Sequence, residues 1–191
     1  MSRRGRLFVL SAPSGSGKTT VLNALMNGSG LRLVRSVSAT TRRPRRGERR
    51  GRDYRFLSRK AFERKIAQGA FLEHARVLGH RYGTLRGPVE QDLRRGKNVL
   101  LGLDIQGARQ LRKSGLPVTT IFLLSPSFQV LQRRLRRRGT ETAAQIRQRL
   151  KLARRELKEV QRYDYAVVND RLEKAVEAVE TIIRAEQFRI H

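Results

Sequence analysis

The feature that most constrains this chain is the run Ala12-Pro13-Ser14-Gly15-Ser16-Gly17-Lys18-Thr19. It follows the apolar stretch from Leu7 to Leu10, which reads as a short buried strand. It leads into Thr19 to Met26, where Val21, Leu22, Leu25 and Met26 share one helical face. A strand, a Gly/Ser turn ending in Gly-Lys-Thr, and a helix, in that order, form the context of a phosphate-binding P-loop. The glycines let successive N–H groups turn toward phosphate oxygens. The helix N-terminus adds the positive end of its dipole. Lys18 is expected to reach the β- and γ-phosphates of ATP, and Thr19 to be a ligand of Mg²⁺. The ATP-binding set is thus Ala12, Pro13, Ser14, Gly15, Ser16, Gly17, Lys18, Thr19 and Thr20. Ala12 replaces the usual first glycine, which requires only that its backbone stay in a region open to L-residues. A dinucleotide-binding reading fails, because Thr20 stands at the third glycine of G-x-G-x-x-G. A P-loop alone does not separate ATPases, GTPases and kinases.

The chain has 191 residues, enough for one domain with a substantial core. No apolar run approaches the ~20 residues of a membrane helix. The basic start, Met1 to Arg6, is followed by only four apolar residues, short of the ~7–15 of a signal core. A cytoplasmic location is expected. There is no cysteine, which excludes disulfides and thiolate metal sites. His74, His80 and His191 show no ligand spacing and read as structural or solvated. The formal net charge is +27, with arginine concentrated at 42–55 and 133–138. Three readings compete: a polyanion-binding surface, a phosphoryl-transfer site that gathers cations, and solvated faces filled with arginine.

Further strands are expected at Val99 to Leu103, Val118 to Leu124 and Tyr165 to Val168. Helices are expected from Pro126 to about Arg138 and from about Thr142 to Val160. A last helix carries Leu172, Val176, Val179, Ile182 and Ile183 at helical spacing, with Asp170 and Glu173 as a capping box at its start. Alternating strands and helices imply an α/β fold with a parallel sheet covered on both faces. Residues 36–87 break the rhythm. They are polar and rich in Gly and Arg, and read as an inserted subdomain with a small core from Tyr54, Phe56, Phe62, Phe71 and Tyr82.

From Ser36 onward the chain resembles the guanylate kinase family. The motifs are Ser36-Val37-Ser38-Ala39-Thr40-Thr41-Arg42-Arg43-Pro44-Arg45, Gly47-Glu48, Gly51-Arg52-Asp53-Tyr54-Arg55-Phe56, Phe71-Leu72-Glu73, Tyr82-Gly83-Thr84, Asp104-Ile105-Gln106-Gly107 and Arg138-Gly139-Thr140-Glu141. The resemblance covers nearly the whole chain in order. It implies a single P-loop NTPase-type domain, a parallel sheet flanked by helices, with a core at 1–35, 88–125 and 161–191. A GMP-binding insert would span 36–87, and a helical lid 126–160. The implied reaction is ATP + GMP giving ADP + GDP, with Mg²⁺.

The same resemblance implies GMP contacts from Ser38, Arg42, Arg45, Tyr54, Glu73, Tyr82, Thr84 and Asp104. The chemistry agrees. Guanine offers two donors on one edge, which a carboxylate accepts together; Glu73 and Asp104 are the acids in place. Its O6 needs a donor, which Ser38 or Thr84 can supply. Arg42 and Arg45 suit the monophosphate dianion, with Tyr54 and Tyr82 adding hydroxyls. The lid arginines Arg134, Arg138 and Arg149 match positions that approach the transferred phosphoryl group, and Lys18 completes the catalytic set. Asn169 matches an adenine-side contact, although a helix-cap role suits it too. One departure stands out: the acid usually found two residues before Asp104 is Gly102. Three rival readings are a non-catalytic guanylate kinase-like binding domain, a basic nucleic-acid-binding protein, and a kinase for a different small phosphorylated substrate on the same core, the last opposed by the matched guanine-facing acids. The first sits poorly with an intact Lys18 and Thr19, and the second finds no RRM, KH or zinc-finger signature.

Overall fold

The computed structural model describes residues 4–28, 30–31, 33–45, 47–77, 79–137 and 142–189. Its centre is a five-stranded parallel sheet built from β1 (Leu7–Ser11), β2 (Leu33–Arg35), β7 (Asn98–Leu103), β8 (Val118–Leu124) and β9 (Tyr165–Val168). Their order across the sheet is β2-β7-β1-β8-β9. Strand β1 is buried at every position, as expected of a central parallel strand with both faces covered. Its side chains alternate between two cores. Phe8 and Leu10 join Val21, Leu22 and Leu25 of α1 (Lys18–Gly28) and Ala175, Val179 and Ile183 of α7 (Leu172–Glu186). Leu7 and Val9 join Val89 and Leu93 of α3 (Arg86–Arg94) and Ala108 and Leu111 of α4 (Ile105–Arg112). Full burial of each such large apolar side chain favours folding by about 1.5–3 kcal/mol.

The topology positions the site. After β1 the chain crosses α1 to β2, on the far side of β7, whereas after β7 it crosses α4 to β8, on the other side of β1. The loops leaving the carboxyl ends of neighbouring β1 and β7 therefore diverge. That leaves a crevice where open α/β sheets bind ligands. Ser11 and Leu103 are paired at those two strand ends.

A second sheet lies within the region that breaks the strand–helix rhythm. Its four strands are β3 (Ala39–Thr40), β4 (Arg55–Phe56), β5 (Phe71–Val77) and β6 (His80–Leu85), in the order β4-β3-β6-β5. Helix α2 (Arg59–Ala67) covers it, with Ser58 accepting a hydrogen bond from the Ala61 N–H as its cap. Of the five aromatics expected to form its core, Phe62 and Phe71 do so, stacked at 4.4 Å with Ala39 beside them. Tyr54 and Tyr82 instead meet edge to face at 6.0 Å along a cleft.

Helices α5 (Phe128–Arg136) and α6 (Ala143–Leu157) pack Leu131, Leu135 and Ala153 into a cluster of their own. Two helix starts differ from expectation. Helix α5 begins after Pro126, because the Ser127 hydroxyl accepts from the Val130 N–H and caps it. The Asp170/Glu173 capping box does not form; Arg171 is the cap position of α7 and makes no side-chain cap bond. The Asn169 N–H still donates to the Leu124 carbonyl, so strand pairing extends past β9 and delays the helix. A capping box does form at Thr142 and Gln145, opening α6. Helices α2, α3 and α4 and strand β2 are not evident from apolar periodicity. In α2 the single fully buried apolar residue is Phe62.

Candidate functional site

Gly15 and Gly17 of the loop after β1 take φ of +95° and +90°, conformations that side chains rarely adopt. Both are also crowded. A Cβ on Gly15 would lie 2.9 Å from Leu135 Cγ of α5, and one on Gly17 would collide with the Asn169 amide. That amide donates from Nδ2 to the Ser16 carbonyl at 2.8 Å. Asn169 is therefore a brace of the phosphate loop, and the helix-cap role does not apply. The Lys18 ammonium donates to the Leu103 carbonyl at the end of β7, 2.5 Å away. Burial pushes the Lys18 amine below its ordinary value, while Asp104, Glu156 and Glu73 favour its charge. Thr19 and Thr20 are exposed on the first turn of α1, and Ala12 and Pro13 are buried behind the loop. Among the described residues, no three His, Asp or Glu side chains group to hold a metal. The exposed Thr19 hydroxyl is the candidate protein ligand for a hard cation that enters with a nucleotide.

Next to the loop lies a cleft of about 200 Å³, lined by Ser38, Tyr54, Glu73, Tyr82, Gly102 and Asp104 among others. Five of the expected GMP contacts thus meet in one place. Glu73, on β5, is only 6% exposed. Thr84 faces it across the β5–β6 pairing and donates its hydroxyl to Glu73 Oε1 at 2.7 Å. With that proton committed, Thr84 orients the carboxylate, and Ser38 is left as the candidate donor to a base oxygen. Burial, with nearby Asp104, pushes the Glu73 carboxyl up to about 7, against the pull of Thr84 and Lys18. Asp104 caps α4, accepting from the Gly107 N–H at 2.8 Å. Gly107, the last residue of the Asp104-Ile105-Gln106-Gly107 motif, has a role that its sequence does not reveal: a Cβ there would lie 2.7 Å from Glu73 Oε2. The absence of a side chain on α4 makes room for the acid on β5.

Arg42 follows β3 at the rim, its guanidinium 5.4 Å from the centre of the Tyr54 ring. It donates from Nη2 to both Glu48 oxygens, at 2.7 and 3.0 Å, which raises its pKa. Glu48 also accepts the Arg45 N–H at 2.7 Å, and so pins both arginines of the Arg42–Arg45 turn. Arg45 itself is exposed.

Two of the three expected lid arginines reach the phosphate loop or its brace. Arg149 on α6 donates to Ser14 Oγ at 2.7 Å, and Arg134 on α5 donates to the Asn169 carbonyl at 3.1 Å. Arg138, with Gly139, Thr140 and Glu141, lies outside the described residues, as does His191. Glu156 on α6 belongs to none of the quoted motifs, yet burial and the charge of Asp104 push its half-buried carboxyl above its ordinary value, opposed by Lys18, and its Oε2 is buried without a hydrogen-bond partner.

Comparison with known proteins agrees with this arrangement. The family model described as guanylate kinase matches residues 4–186. A guanylate kinase of Clostridium perfringens (strain SM101 / Type A) is 45% identical over 189 residues, covering 99% of this chain and 87% of that protein. One of Rhodopseudomonas palustris is 47% identical over 191 residues, covering 99% and 86%. The crystal structure of guanylate kinase from Anaplasma phagocytophilum superposes with a TM-score of 0.80 at 36% identity, covering 98% of this chain and 89% of that one. A P-loop at the sheet's switch point, a cleft floored by two acids and a match along almost the entire length lead to one conclusion: the chain belongs to the guanylate kinase family.

Proposed function

We propose that this protein transfers the γ-phosphoryl group of ATP to GMP, giving ADP and GDP. The observation that carries the reading is the Glu73 carboxylate, buried at the floor of the cleft, oriented by Thr84 and placed beside Asp104. Ionised Glu73 accepts the N1–H and N2 amino donors of guanine. Adenine presents an acceptor at N1 and meets the same group with the wrong polarity. A site built on such pairing can reject the wrong base by about 10⁴–10⁵, because buried polar groups would be left unpaired.

The remaining roles are proposed from the family pattern together with the placement of the described residues. Residues 36–87 hold GMP, with Arg42, Arg45, Tyr54 and Tyr82 around its phosphate and Ser38 toward the base. The loop from Ala12 to Thr20 holds ATP, with Asn169 bracing it. Lys18 leaves the Leu103 carbonyl for phosphate oxygens. Residues 126–160 act as a lid, and Arg134, Arg138 and Arg149 bring positive charge to the phosphoryl group as it spreads negative charge in the transition state. Thr19 would hold a magnesium ion brought in with ATP, which would supply further charge neutralisation. Catalysis is otherwise positioning: a GMP phosphate oxygen is held in line with the γ-phosphorus and water is kept out.

The test is a coupled ADP-release assay across AMP, GMP, CMP, UMP and dTMP. GMP should exceed AMP in kcat/KM by several orders of magnitude. Comparable turnover of AMP or UMP would remove the guanine-edge argument.

A further inference from the structure

We propose that Gln110 is a positioning residue for guanine recognition: its side-chain amide clasps the backbone of β5 and so holds Glu73 against helix α4. The inference rests on the reading of the chain as a GMP kinase and adds a residue to it.

The clasp has two hydrogen bonds. The His74 N–H donates to Gln110 Oε1 at 3.1 Å, and Gln110 Nε2 donates to the His74 carbonyl at 2.8 Å. His74 follows Glu73 on β5, and β5 is an outermost strand of its sheet. In an antiparallel pair, alternate residues turn their N–H and C=O away from the partner strand. On an edge strand those groups meet no neighbouring strand. At His74 the Gln110 amide takes the place of one, offering an acceptor and a donor to a single residue. Gln110 lies one turn beyond Gly107 on α4, so both address β5. Gly107 leaves room for Glu73 Oε2, and Gln110 pins the backbone beside it. Together they seat β5, a strand of the 36–87 region, on a helix of the core.

Glu73 needs such a hold. Burial and the nearby charge of Asp104 lift its carboxyl to about 7, opposed by Thr84 and Lys18. Once both acids are ionised they repel each other across the junction of β5 and α4. Thr84 cannot resist that push. It stands on β6, which pairs with β5, so its bond fixes Glu73 within the sheet but not the sheet on the core. Asp104 belongs to the other side of the junction, as the cap of α4. The spacing between the two acids that floor the cleft is therefore set where β5 meets α4, and Gln110 bridges that junction with directed bonds. Gln110 is exposed, so water can satisfy the same backbone groups at little cost to folding. Water cannot fix the distance between two elements.

The test replaces Gln110 with Met, which keeps the length and suits a helix but makes neither bond. It also replaces Gln110 with Glu, which can accept the His74 N–H but sets a carboxylate oxygen against the His74 carbonyl. KM and kcat are measured for ATP, for GMP, and for IMP, which lacks the N2 amino group of guanine. Gln110→Met should raise the KM for GMP about tenfold, the scale of one net hydrogen bond, and leave that for ATP within about twofold. Its preference for GMP over IMP in kcat/KM should narrow by about the same factor, because misplaced acids read the amino group less well. Gln110→Glu should do no better than Gln110→Met. Both melting temperatures should stay within about 4 °C of wild type. The inference is overturned if Gln110→Met keeps the wild-type KM for GMP, if GMP and IMP weaken equally, if ATP weakens along with GMP in a destabilised protein, or if Gln110→Glu matches wild type. Wild-type protein that fails to phosphorylate GMP defeats the functional reading and the inference together. Active wild type with an indifferent Gln110 defeats the inference alone.

Discussion

The Leu22 side chain of α1 occupies the space that a Cβ on Gly102 of β7 would need. Leu22 is 2% exposed and packed in the larger core, so it cannot simply swing away. The departure of this chain from the family pattern at Gly102 is therefore built into the packing between α1 and the central sheet. Gly102→Asp should lower activity and destabilise the protein by about 1–3 kcal/mol through overpacking. Leu22→Ala alone leaves a cavity and should cost about 2–5 kcal/mol. The double variant should be more stable than the two costs summed, since each change relieves the other. Thermal or denaturant unfolding of all four proteins measures the coupling; strict additivity would show that Leu22 does not set the glycine.

Glu73 should make both stability and GMP binding depend on pH. Its carboxyl stands at about 7 in the folded chain, against an ordinary value of 4.5. Between these values the folded state holds a proton that the unfolded state has lost. Stability therefore falls as pH rises from about 4.5 to about 7 and is level above that, with a span of about 3 kcal/mol as an upper estimate. Glu73→Gln should abolish this slope and be the more stable protein at pH 8. GMP prefers the ionised acid, so its affinity for wild type should rise with pH up to about 7. Calorimetry in buffers of different ionisation enthalpy should detect a proton released on binding at pH 6. No proton release and no slope would place the Glu73 carboxyl in its ordinary range.

Arg42 and Arg149 should fail in different ways. Arg42 sits at the rim of the GMP cleft against Tyr54, whereas Arg149 touches the phosphate loop. Arg42→Ala should raise the KM for GMP by about 10–100-fold, the loss of a charge-assisted contact, and leave the KM for ATP nearly unchanged. Arg149→Ala should chiefly lower kcat. Steady-state kinetics with each substrate varied separates the two, and a shared defect would end the division of roles. Glu48→Gln frees Arg42 from its present partner and should have a smaller effect than Arg42→Ala.

Lys18→Met should reduce transfer by at least about 10³-fold. It also removes the cation among Asp104, Glu156 and Glu73. Burial, the largest influence on the Lys18 amine, disfavours its charge, so the lost activity should come without a large loss of stability. A variant retaining most of its activity would show that Lys18 does not serve the phosphates.

Short-range spacing makes several elements legible in the sequence. The P-loop, the buried strands β1, β7, β8 and β9 and the apolar face of α7 are each written in short-range spacing, and most of the cleft residues sit in contiguous motifs. The short strands β3 and β4, two residues each, show no period because two residues cannot. Helix α2 buries too little apolar surface to mark a face. The capping box at Asp170 and Glu173 was a sound local pattern overridden by strand pairing through Asn169. The tertiary structure alone decided the partners. Thr84 orients Glu73 because β5 and β6 pair in one register. Gly107 yields its space to Glu73, Leu22 closes the space at Gly102, and Arg149 reaches Ser14 across the crevice. Each of these contacts joins elements whose separation in the chain carries no signal. Sequence specifies the pieces through local sterics and periodicity. Which atoms then meet is determined by the sheet crossovers and the close packing between them.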